Sequence, residues 1–231
     1  MQAVILAAGR GTRMGALTEA LPKPLLCAAG KTLLEYKLDI LEGIVDEVVI
    51  IVGYHETRIR EHVGDSYGSM RVTYATQEVL DGTAGALWTA EPYLKDRFVV
   101  LMGDDLYTRA DIEKCIAVPD WAVLVSVRQQ EGAGGLMVME GKNLVAVKEG
   151  TYPAGTLANT NAFALDIRLF THHLVPKSEG SPEYGLPQTV LAASQTGGMA
   201  LAVVATTDWF QVTAPEDLPK AEAWLKEHPL I

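Results

Sequence analysis

Cysteine is scarce in this chain, with only Cys27 and Cys115 among 231 residues, and the two lie far apart in the sequence. Their scarcity excludes a disulfide framework and a zinc site built from paired cysteines. No apolar run approaches the length of about 20 residues that spans a membrane, and the run at residues 4–8 is too short for a signal peptide. We therefore expect a cytoplasmic protein that makes no membrane contact.

Positive charge is also scarce, since 19 Lys and Arg residues face 29 Asp and Glu residues and the net charge is −10. Four of the 19 cations nevertheless lie in the first 31 residues, where Glu19 is the only acid. Nucleic-acid binding needs a broad basic surface, so this composition argues against a nucleic-acid partner. A local positive site on an acidic protein suits a small phosphorylated ligand.

The length and the hydrophobic content of 48% predict one domain, residues 1–231, with a full core. Apolar runs predict strands at residues 3–8, 47–52, 72–75, 98–102, 121–127, 135–139, 144–148, 160–165 and 200–205. Amphipathic periodicity predicts helices at residues 33–41, 55–62, 83–90, 108–116, 167–174, 186–195 and 218–227.

The first half alternates strand with helix, which is typical of a parallel doubly wound sheet. Residues 121–165 are rich in strands and carry a hairpin signal at residues 140–143. The predicted fold class is therefore α/β, a doubly wound and mostly parallel Rossmann-like sheet with a small antiparallel extension. In such sheets ligands bind beyond the carboxyl ends of the strands, where the loops starting at Gly9, Gly53, Gln77 and Gly103 should emerge.

The first predicted strand runs into a loop with glycines at positions 9, 11 and 15. Glycines leave backbone N–H groups bare, and a ring of bare N–H groups binds phosphate. A P-loop is excluded because Leu25 stands where its opening glycine is needed, and a dinucleotide fingerprint is excluded because Met14 stands at its third glycine.

Residues 6–26 carry Leu6-Ala-Ala-Gly-Arg-Gly-Thr-Arg-Met14 and then Pro22-Lys-Pro-Leu25. This string resembles the signature of sugar-1-phosphate nucleotidyltransferases, such as glucose-1-phosphate thymidylyltransferases and the N-terminal uridylyltransferase domain of the bifunctional N-acetylglucosamine-1-phosphate enzyme. An ordinary glycine-rich turn would explain the glycines but not Arg13 together with Lys23. The resemblance implies the nucleotide-diphospho-sugar transferase fold, catalytic roles for Arg13 and Lys23, and a nucleotide site that includes Leu6, Ala8, Gly9, Gly11, Thr12 and Arg13.

The predicted strand at residues 98–102 is followed by Gly103-Asp104-Asp105. In the family a strand-end Gly-Asp holds the catalytic Mg²⁺, which implies a catalytic and metal-binding role for Asp104. The alternative is that Asp104 or Asp105 caps the helix that starts near Thr108.

A second metal ligand is expected near the end of the chain, where Trp209-Phe-Gln-Val-Thr-Ala-Pro-Glu-Asp-Leu218 resembles the family pattern W-x-D-[VI]-x-T-P-E-D-L. Gln211 stands at the position of the family's Asp, and a neutral amide is a weaker Mg²⁺ ligand than a carboxylate. Asp208 could take the role only if the chain bends.

The segment that contains Gln77, Gly82 and Thr83 resembles the family's element for binding the nucleotide base. The spacing from Gln77 to Gly82 resembles that of glucose-1-phosphate thymidylyltransferases and favours UTP or dTTP. The string Gly82-Thr-Ala-Gly85 also resembles mannose-1-phosphate guanylyltransferases, which leaves GTP open.

The sugar-phosphate half of the resemblance implies contacts from Gly134, Glu149 and Asn159. Each has a structural alternative: hairpin geometry for Gly134, a solvated surface for Glu149 and a turn for Asn159. The family has Lys-Pro after the glutamate, whereas this chain has Gly150 and Thr151, so a phosphate-binding lysine is missing.

The resemblance implies an enzyme that uses Mg²⁺ to join an NTP and a sugar 1-phosphate into an NDP-sugar and pyrophosphate. A guanylyltransferase acting on mannose 1-phosphate or heptose 1-phosphate stays open. So does a catalytically weak regulatory homologue that binds nucleotide sugars, because of Gln211 and the missing lysine. The hexapeptide-repeat tail of some relatives, which forms trimers, is absent, so we expect a monomer or a homodimer.

Overall fold

A computed structural model describes residues 1–228 and residue 230. The strands of the described chain are β1 Gln2–Leu6, β2 Cys27–Ala28, β3 Lys31–Thr32, β4 Glu47–Val52, β5 Ser66–Tyr67, β6 Met70–Thr76, β7 Arg97–Met102, β8 Asp105–Tyr107, β9 Trp121–Val127, β10 Gly132–Glu140, β11 Asn143–Tyr152, β12 Leu157–Asp166, β13 Leu201–Thr206 and β14 Trp209–Gln211. The α-helices are α1 Leu33–Leu41, α2 Glu56–Val63, α3 Thr83–Trp88, α4 Arg109–Ala117, α5 Leu186–Gly197 and α6 Asp217–Glu227. None of the described helices combines the length and apolarity needed to cross a membrane.

Ten strands form the main sheet, in the order β11-β10-β12-β7-β1-β4-β6-β5, with β9 pairing with both β12 and β13. Strands β7, β1, β4 and β6 are parallel neighbours. Strand β10 pairs antiparallel with β11 on one side and β12 on the other, and β12 joins the parallel part by pairing antiparallel with β7. The predicted fold class, a mostly parallel Rossmann-like sheet with an antiparallel extension, is confirmed.

Strand β1 lies at the centre of the parallel part, and its apolar residues are buried on both faces of the sheet. Ala3 and Ile5 pack into one core layer, while Val4 and Leu6 pack into the other. A parallel sheet covered by helices on both faces needs apolar side chains at every position, which is why this strand reads as a continuous apolar run.

Short polar signals fix where the helices begin. Thr32 and Glu35 form a reciprocal capping box at the start of α1, and the Thr108 hydroxyl accepts the Asp111 N–H at the start of α4. Neither Asp104 nor Asp105 caps α4, so that alternative for the Gly-Asp-Asp motif is wrong.

Predicted bounds differ most from the structure at residues 167–174 and in strands β10, β11 and β12. Residues 167–174 form only a short 3₁₀ turn, Ile167–Thr171, because the following backbone is bound elsewhere: Val175 N–H donates to the Thr189 hydroxyl at 3.0 Å. Strands β10 and β11 are longer than predicted, since the glycine-rich start of β10 lacks the side-chain alternation that signals a strand.

Candidate active site

A cleft opens at the carboxyl edge of the parallel strands, between the loop after β1 and the β10–β11 hairpin. Its main cavity has a volume of about 620 Å³. Cavities of about 220 Å³ and 420 Å³ continue it along the glycine loop and towards Gln77. All three cavities share Arg13 and Met102 in their walls. We call these three cavities together the cleft.

The cleft brings together every site residue predicted from the sequence except Asp208. Those that line it are Leu6, Ala8, Gly9, Gly11, Thr12, Arg13, Lys23, Gln77, Gly82, Thr83, Asp104, Gly134, Glu149, Asn159 and Gln211. The positions of the first half meet because the parallel strands end at one edge of the sheet, whereas Gly134, Glu149 and Asn159 are brought there by the antiparallel strands β10, β11 and β12.

The glycine loop is held in shape by its own backbone. Gly11 has a φ of 64°, and a Cβ atom there would lie 3.0 Å from the Cβ atom of Lys23. The Thr18 hydroxyl contacts the carbonyl oxygens of Gly11 and Gly15 at 3.1 and 3.2 Å. Only glycine at position 11 combines this backbone conformation with so close a neighbour.

Lys23 is buried, with 7% of its surface exposed, although it lines the cleft. Its Nζ atom donates to Asp104 Oδ2 at 2.6 Å and to the carbonyl oxygen of Val212. Arg13, in contrast, is exposed and makes no ion pair within the described chain. The cleft therefore holds one buried cation fixed beside a carboxylate and one exposed cation on the glycine loop.

Asp104 follows β7 directly after Gly103, and its side chain is 24% exposed. A Cβ atom on Gly103 would lie 3.0 Å from the Leu6 carbonyl oxygen, so a glycine here lets the two strand ends approach closely. Asp105, the next residue, is buried, and its Oδ2 atom accepts the Trp209 Nε1–H at 3.2 Å. The two aspartates thus have different environments.

Lys37 of α1 is fully buried in the interior behind these aspartates, and its Nζ atom donates to the Leu33 carbonyl oxygen at 2.8 Å. Burial lowers the pKa of the Lys37 ammonium and raises the pKa of the Asp105 carboxyl. The opposite charges of the two groups partly offset this desolvation. Lys37 was not predicted from the sequence, although it had a signal: it lies on the face of an amphipathic helix that otherwise carries Leu33, Leu34 and Leu41.

Strand β14 brings Gln211 next to the aspartates, since it pairs with β8 so that Gln211 lies opposite Asp105. Asp208 lies in the bend before β14, where its carboxylate contacts the Thr207 hydroxyl and is 3.7 Å from His228 Nε2. The bend places Asp208 in an adjoining cavity of about 870 Å³ that shares Arg13 and Gln211 with the cleft, whereas Gln211 also lines the main cavity.

The residues around Asp104 fit a magnesium ion that arrives with phosphates. No group of three or more His, Cys, Asp or Glu side chains suited to a metal occurs in the described chain. Mg²⁺ often binds through one or two carboxylates, with substrate phosphates and water as the other ligands. One carboxylate from Asp104 and one amide oxygen from Gln211 match that arrangement better than a metal cage formed by the protein alone.

The arm of the cleft nearest Gln77 has a volume of about 420 Å³ and contains the residues predicted to bind the base. The Gln77 Nε2–H group donates to Asp81 Oδ1 at 2.9 Å and to the Gly82 carbonyl oxygen at 3.2 Å. These bonds leave the Gln77 carbonyl oxygen as an acceptor for a ligand. The Thr83 hydroxyl accepts the Leu186 N–H at 3.0 Å, which ties α3 to α5.

We expect Gly82→Ala to lower the free energy of unfolding by about 2–4 kcal/mol, from backbone strain and overpacking together. Gly82 has a φ of 104°, and a Cβ atom there would overlap the Tyr184 carbonyl oxygen. Urea unfolding of both proteins measures the change. Gly9→Ala is the matched control, since a Cβ atom at that position meets nothing within 4 Å and should leave stability unchanged. Equal stability of the Gly82→Ala and wild-type proteins would contradict this account.

The other arm of the cleft is lined by groups that suit a hydroxylated ligand. Glu149 Oε1 accepts the Gln188 Nε2–H at 3.0 Å, which fixes that carboxylate. The Asn159 side chain bonds to Asn161, donating to its Oδ1 atom at 2.8 Å and accepting its backbone N–H at 3.1 Å. Asn161 has a φ of 55° and also lines the cleft. Asn159 therefore holds Asn161 in position.

Two cations of this arm, Arg128 and Lys177, were missed by sequence reasoning. Arg128 directly follows β9, and residues just beyond the end of a strand are common in ligand sites of such sheets. It belongs to no sequence motif that would have indicated a role. Lys177 lies in an irregular segment, 3.7 Å from Glu183. These two residues, rather than position 150, supply the positive charge on this side.

Comparison with known proteins gives the chain its family. The sequence profile of the nucleotidyl transferase family matches residues 2–122. The UTP–glucose-1-phosphate uridylyltransferase AglF of Haloferax volcanii is 28% identical over 98% of this chain and 97% of its own length. The bifunctional protein GlmU of Methanocaldococcus jannaschii is 29% identical over 74% of this chain, which spans only 41% of that protein.

Solved structures share the fold. A structure assigned as a glucose-1-phosphate thymidylyltransferase from Bacillus anthracis superposes with a TM-score of 0.83 at 22% identity, covering 99% of this chain and 96% of that one. An inositol-1-phosphate CTP transferase from T. maritima gives a TM-score of 0.76 at 20% identity, covering 98% and 95%. The profile match covers more than half of the residues and includes the glycine loop, Lys23 and Asp104. The resemblance found in the motifs is thus confirmed, and the chain belongs to the nucleotidyl transferase family.

Proposed function

We propose that this protein transfers a nucleotidyl group from an NTP to a sugar 1-phosphate and releases pyrophosphate. The observation that carries the proposal is the Lys23–Asp104 pair, 2.6 Å apart at the foot of the glycine loop and between the two arms of the cleft. A base pocket on one side and hydroxyl-binding groups on the other suit a nucleotide and a sugar phosphate that meet at this pair.

The reaction needs no covalent intermediate with the protein. A phosphate oxygen of the acceptor forms a bond to the α-phosphorus of the nucleotide, and the bond from that phosphorus to the bridging oxygen breaks with pyrophosphate as the leaving group. Catalysis is then positioning and charge stabilisation. The glycine loop binds the β- and γ-phosphates, Arg13 offsets the charge on pyrophosphate, and Lys23 lies between the α-phosphate and the acceptor. When bound at Asp104, Mg²⁺ supplies further positive charge at the α-phosphate.

For the base we propose UTP or dTTP. The free carbonyl oxygen of Gln77 is an acceptor, and the imide N–H that uracil and thymine share is a matching donor. The similarity to the uridylyltransferase AglF, which extends over nearly the whole of both chains, supports this choice. Guanine also carries an imide N–H, so GTP is the competing nucleotide.

A second candidate is a regulatory homologue that binds nucleotide sugars with little turnover. Gln211 favours it, because a neutral side chain in the cleft wall weakens any metal site that depends on protein ligands. The Lys23–Asp104 pair argues against it.

Pyrophosphate release separates these candidates. We expect turnover with glucose 1-phosphate or another hexose 1-phosphate, and a preference for UTP or dTTP when UTP, dTTP, CTP and GTP compete at equal concentration. A preference for GTP or CTP would change the nucleotide and keep the reaction class. If no combination of NTP and sugar 1-phosphate gives pyrophosphate, and the protein still binds a UDP-sugar, the regulatory homologue becomes the favoured function.

A further inference from the structure

Arg128 is a buried cation without a counter-ion. It is 9% exposed, and its Nε atom is buried with no hydrogen-bond acceptor among the described residues. Its terminal nitrogens reach only the carbonyl oxygens of Ala133 and Gly135, each at 3.4 Å. No carboxylate lies within 4.0 Å of it in the described part of the chain, although the protein is strongly acidic.

This arrangement is costly for the protein alone. A guanidinium stays charged and carries five N–H donors, and burying a charge without a partner costs free energy. Burial lowers the pKa of Arg128, whereas the charge of Glu149 raises it. The two groups nevertheless form no ion pair within 4.0 Å, and Glu149 Oε1 accepts the Gln188 Nε2–H instead. An anionic ligand would supply the missing acceptors.

The surroundings of Arg128 hold it at the wall of the cleft. Its backbone N–H donates to the Thr156 carbonyl oxygen, and its own carbonyl oxygen accepts the Gly155 N–H, both at 2.9 Å. Cβ atoms built on Gly132 and Gly134 would each lie 3.4 Å from a terminal nitrogen of Arg128. The backbone of these two glycines therefore packs close beside the guanidinium, which lines the same cavity as Lys23 and Asp104.

We propose that Arg128 binds the terminal phosphate or phosphonate group of the acceptor substrate. The inference rests on the proposed function, since it names the group that the second arm of the cleft recognises. The planar fork of a guanidinium matches two oxygens of such a group. Arg13 and Lys23 line the cavity along the glycine loop, where the nucleotide phosphates are proposed to bind, so Arg128 is a further cation on the acceptor side. Arg128 thereby supplies the positive charge that the family's lysine would provide at the position of Gly150.

Calorimetric titration tests the site directly. Inorganic phosphate and methylphosphonate are titrated into protein saturated with Mg²⁺ and α,β-methylene-UTP, which occupies the nucleotide arm without reacting. We expect Arg128→Met to weaken phosphate binding about 10- to 100-fold, the range for losing hydrogen bonds to a charged group. Arg128→Lys keeps the charge but loses the planar fork of the guanidinium. Its affinity for phosphate should lie between those of Arg128→Met and the wild type.

Two other variants show whether the effect belongs to Arg128. Arg97→Met is the matched control, because the Arg97 guanidinium is also held by carbonyl oxygens, those of Val118, Pro119 and Asp120, but lies outside the cleft. It should bind phosphate as the wild type does. Lys177→Met removes the other cation of this arm and should weaken binding less than Arg128→Met. The inference is overturned if Arg128→Met keeps wild-type affinity while folded, or if the wild type binds neither anion.

Kinetics then separates this inference from the proposed function. In an active enzyme, Arg128→Met should raise the KM for the sugar 1-phosphate at least about tenfold and leave the KM for the nucleotide within about twofold. If the enzyme is active and Arg128→Met leaves the KM for the sugar 1-phosphate unchanged, the role of Arg128 is overturned and the proposed function is not. A protein that binds phosphate through Arg128 but never releases pyrophosphate would overturn the proposed function and leave the anion site standing.

Discussion

Lys23→Ala should lower kcat for pyrophosphate release about 100- to 1000-fold, the usual effect of removing one preorganised group that stabilises transition-state charge. The Lys23 ammonium is fixed by Asp104 and by the Val212 carbonyl oxygen before any ligand binds. It therefore needs no reorganisation as charge moves from the attacking oxygen to the leaving group. The KM for the nucleotide should change less than kcat, because the glycine loop provides most of the phosphate contacts in the proposed site.

Two further variants serve as controls for this prediction. Lys31→Ala removes an exposed lysine that pairs with Asp39 at 2.6 Å and lies outside the cleft, so it should leave kcat unchanged. Lys23→Met keeps most of the aliphatic stem that packs against Gly11 and should match Lys23→Ala in activity if charge is what matters. Circular dichroism and thermal melts show whether each variant is folded. Wild-type turnover in a folded Lys23→Ala protein would refute the role.

Asp104→Asn should reduce turnover at least about 100-fold at low Mg²⁺, since the charge stabilisation from a metal is worth several kcal/mol. The substitution keeps the shape of the side chain and removes the only carboxylate that we propose for the metal. Raising the Mg²⁺ concentration should recover part of the activity, because the substrate phosphates are proposed to supply most of the ligands of the ion in this site. Turnover measured against Mg²⁺ concentration for both proteins gives the comparison.

Gln211→Asp and Asp208→Ala test the other side of the metal position. Gln211→Asp adds a carboxylate in the cleft wall and should lower the Mg²⁺ concentration needed for half-maximal turnover. Asp208→Ala should have no such effect, because its side chain lies outside the cleft near His228. Identical Mg²⁺ curves for Asp104→Asn and the wild type would remove Asp104 from the metal site. A loss of activity in Asp208→Ala would move the second ligand there.

The central sheet could be predicted closely from the sequence, because its strands are buried on both faces. Strands Glu47–Val52 and Trp121–Val127 and helix Leu33–Leu41 have the predicted bounds. In each of them burial and local propensity favour the same structure. The short pairing of β8 with β14 could not be predicted, since three-residue strands carry no periodicity and their partners lie about a hundred residues apart.

For the site, sequence motifs identified positions but not the contacts that hold them. Lys23 and Asp104 were named by their motifs, whereas their ion pair depends on the approach of two strand ends at Gly103. Arg128 and Lys37 belong to no motif that we recognised. Their importance comes from burial, which depends on tertiary packing and cannot be read from neighbouring residues. A charged residue within the apolar face of a helix, or directly after an apolar strand, is the sequence signal that would have identified Lys37 and Arg128.

The bond from Lys23 to the Val212 carbonyl oxygen spans 189 residues of sequence, and this separation has a consequence for the timing of folding on the ribosome. Synthesis proceeds from the amino terminus at about 5–20 residues per second, and contacts between distant residues close last. A nascent chain therefore lacks one of the two acceptors that fix Lys23 until residue 212 has left the exit tunnel, and Asp104 is the other. We expect the proposed site to be complete only when nearly the whole chain has been made, so a half-made chain should not release pyrophosphate.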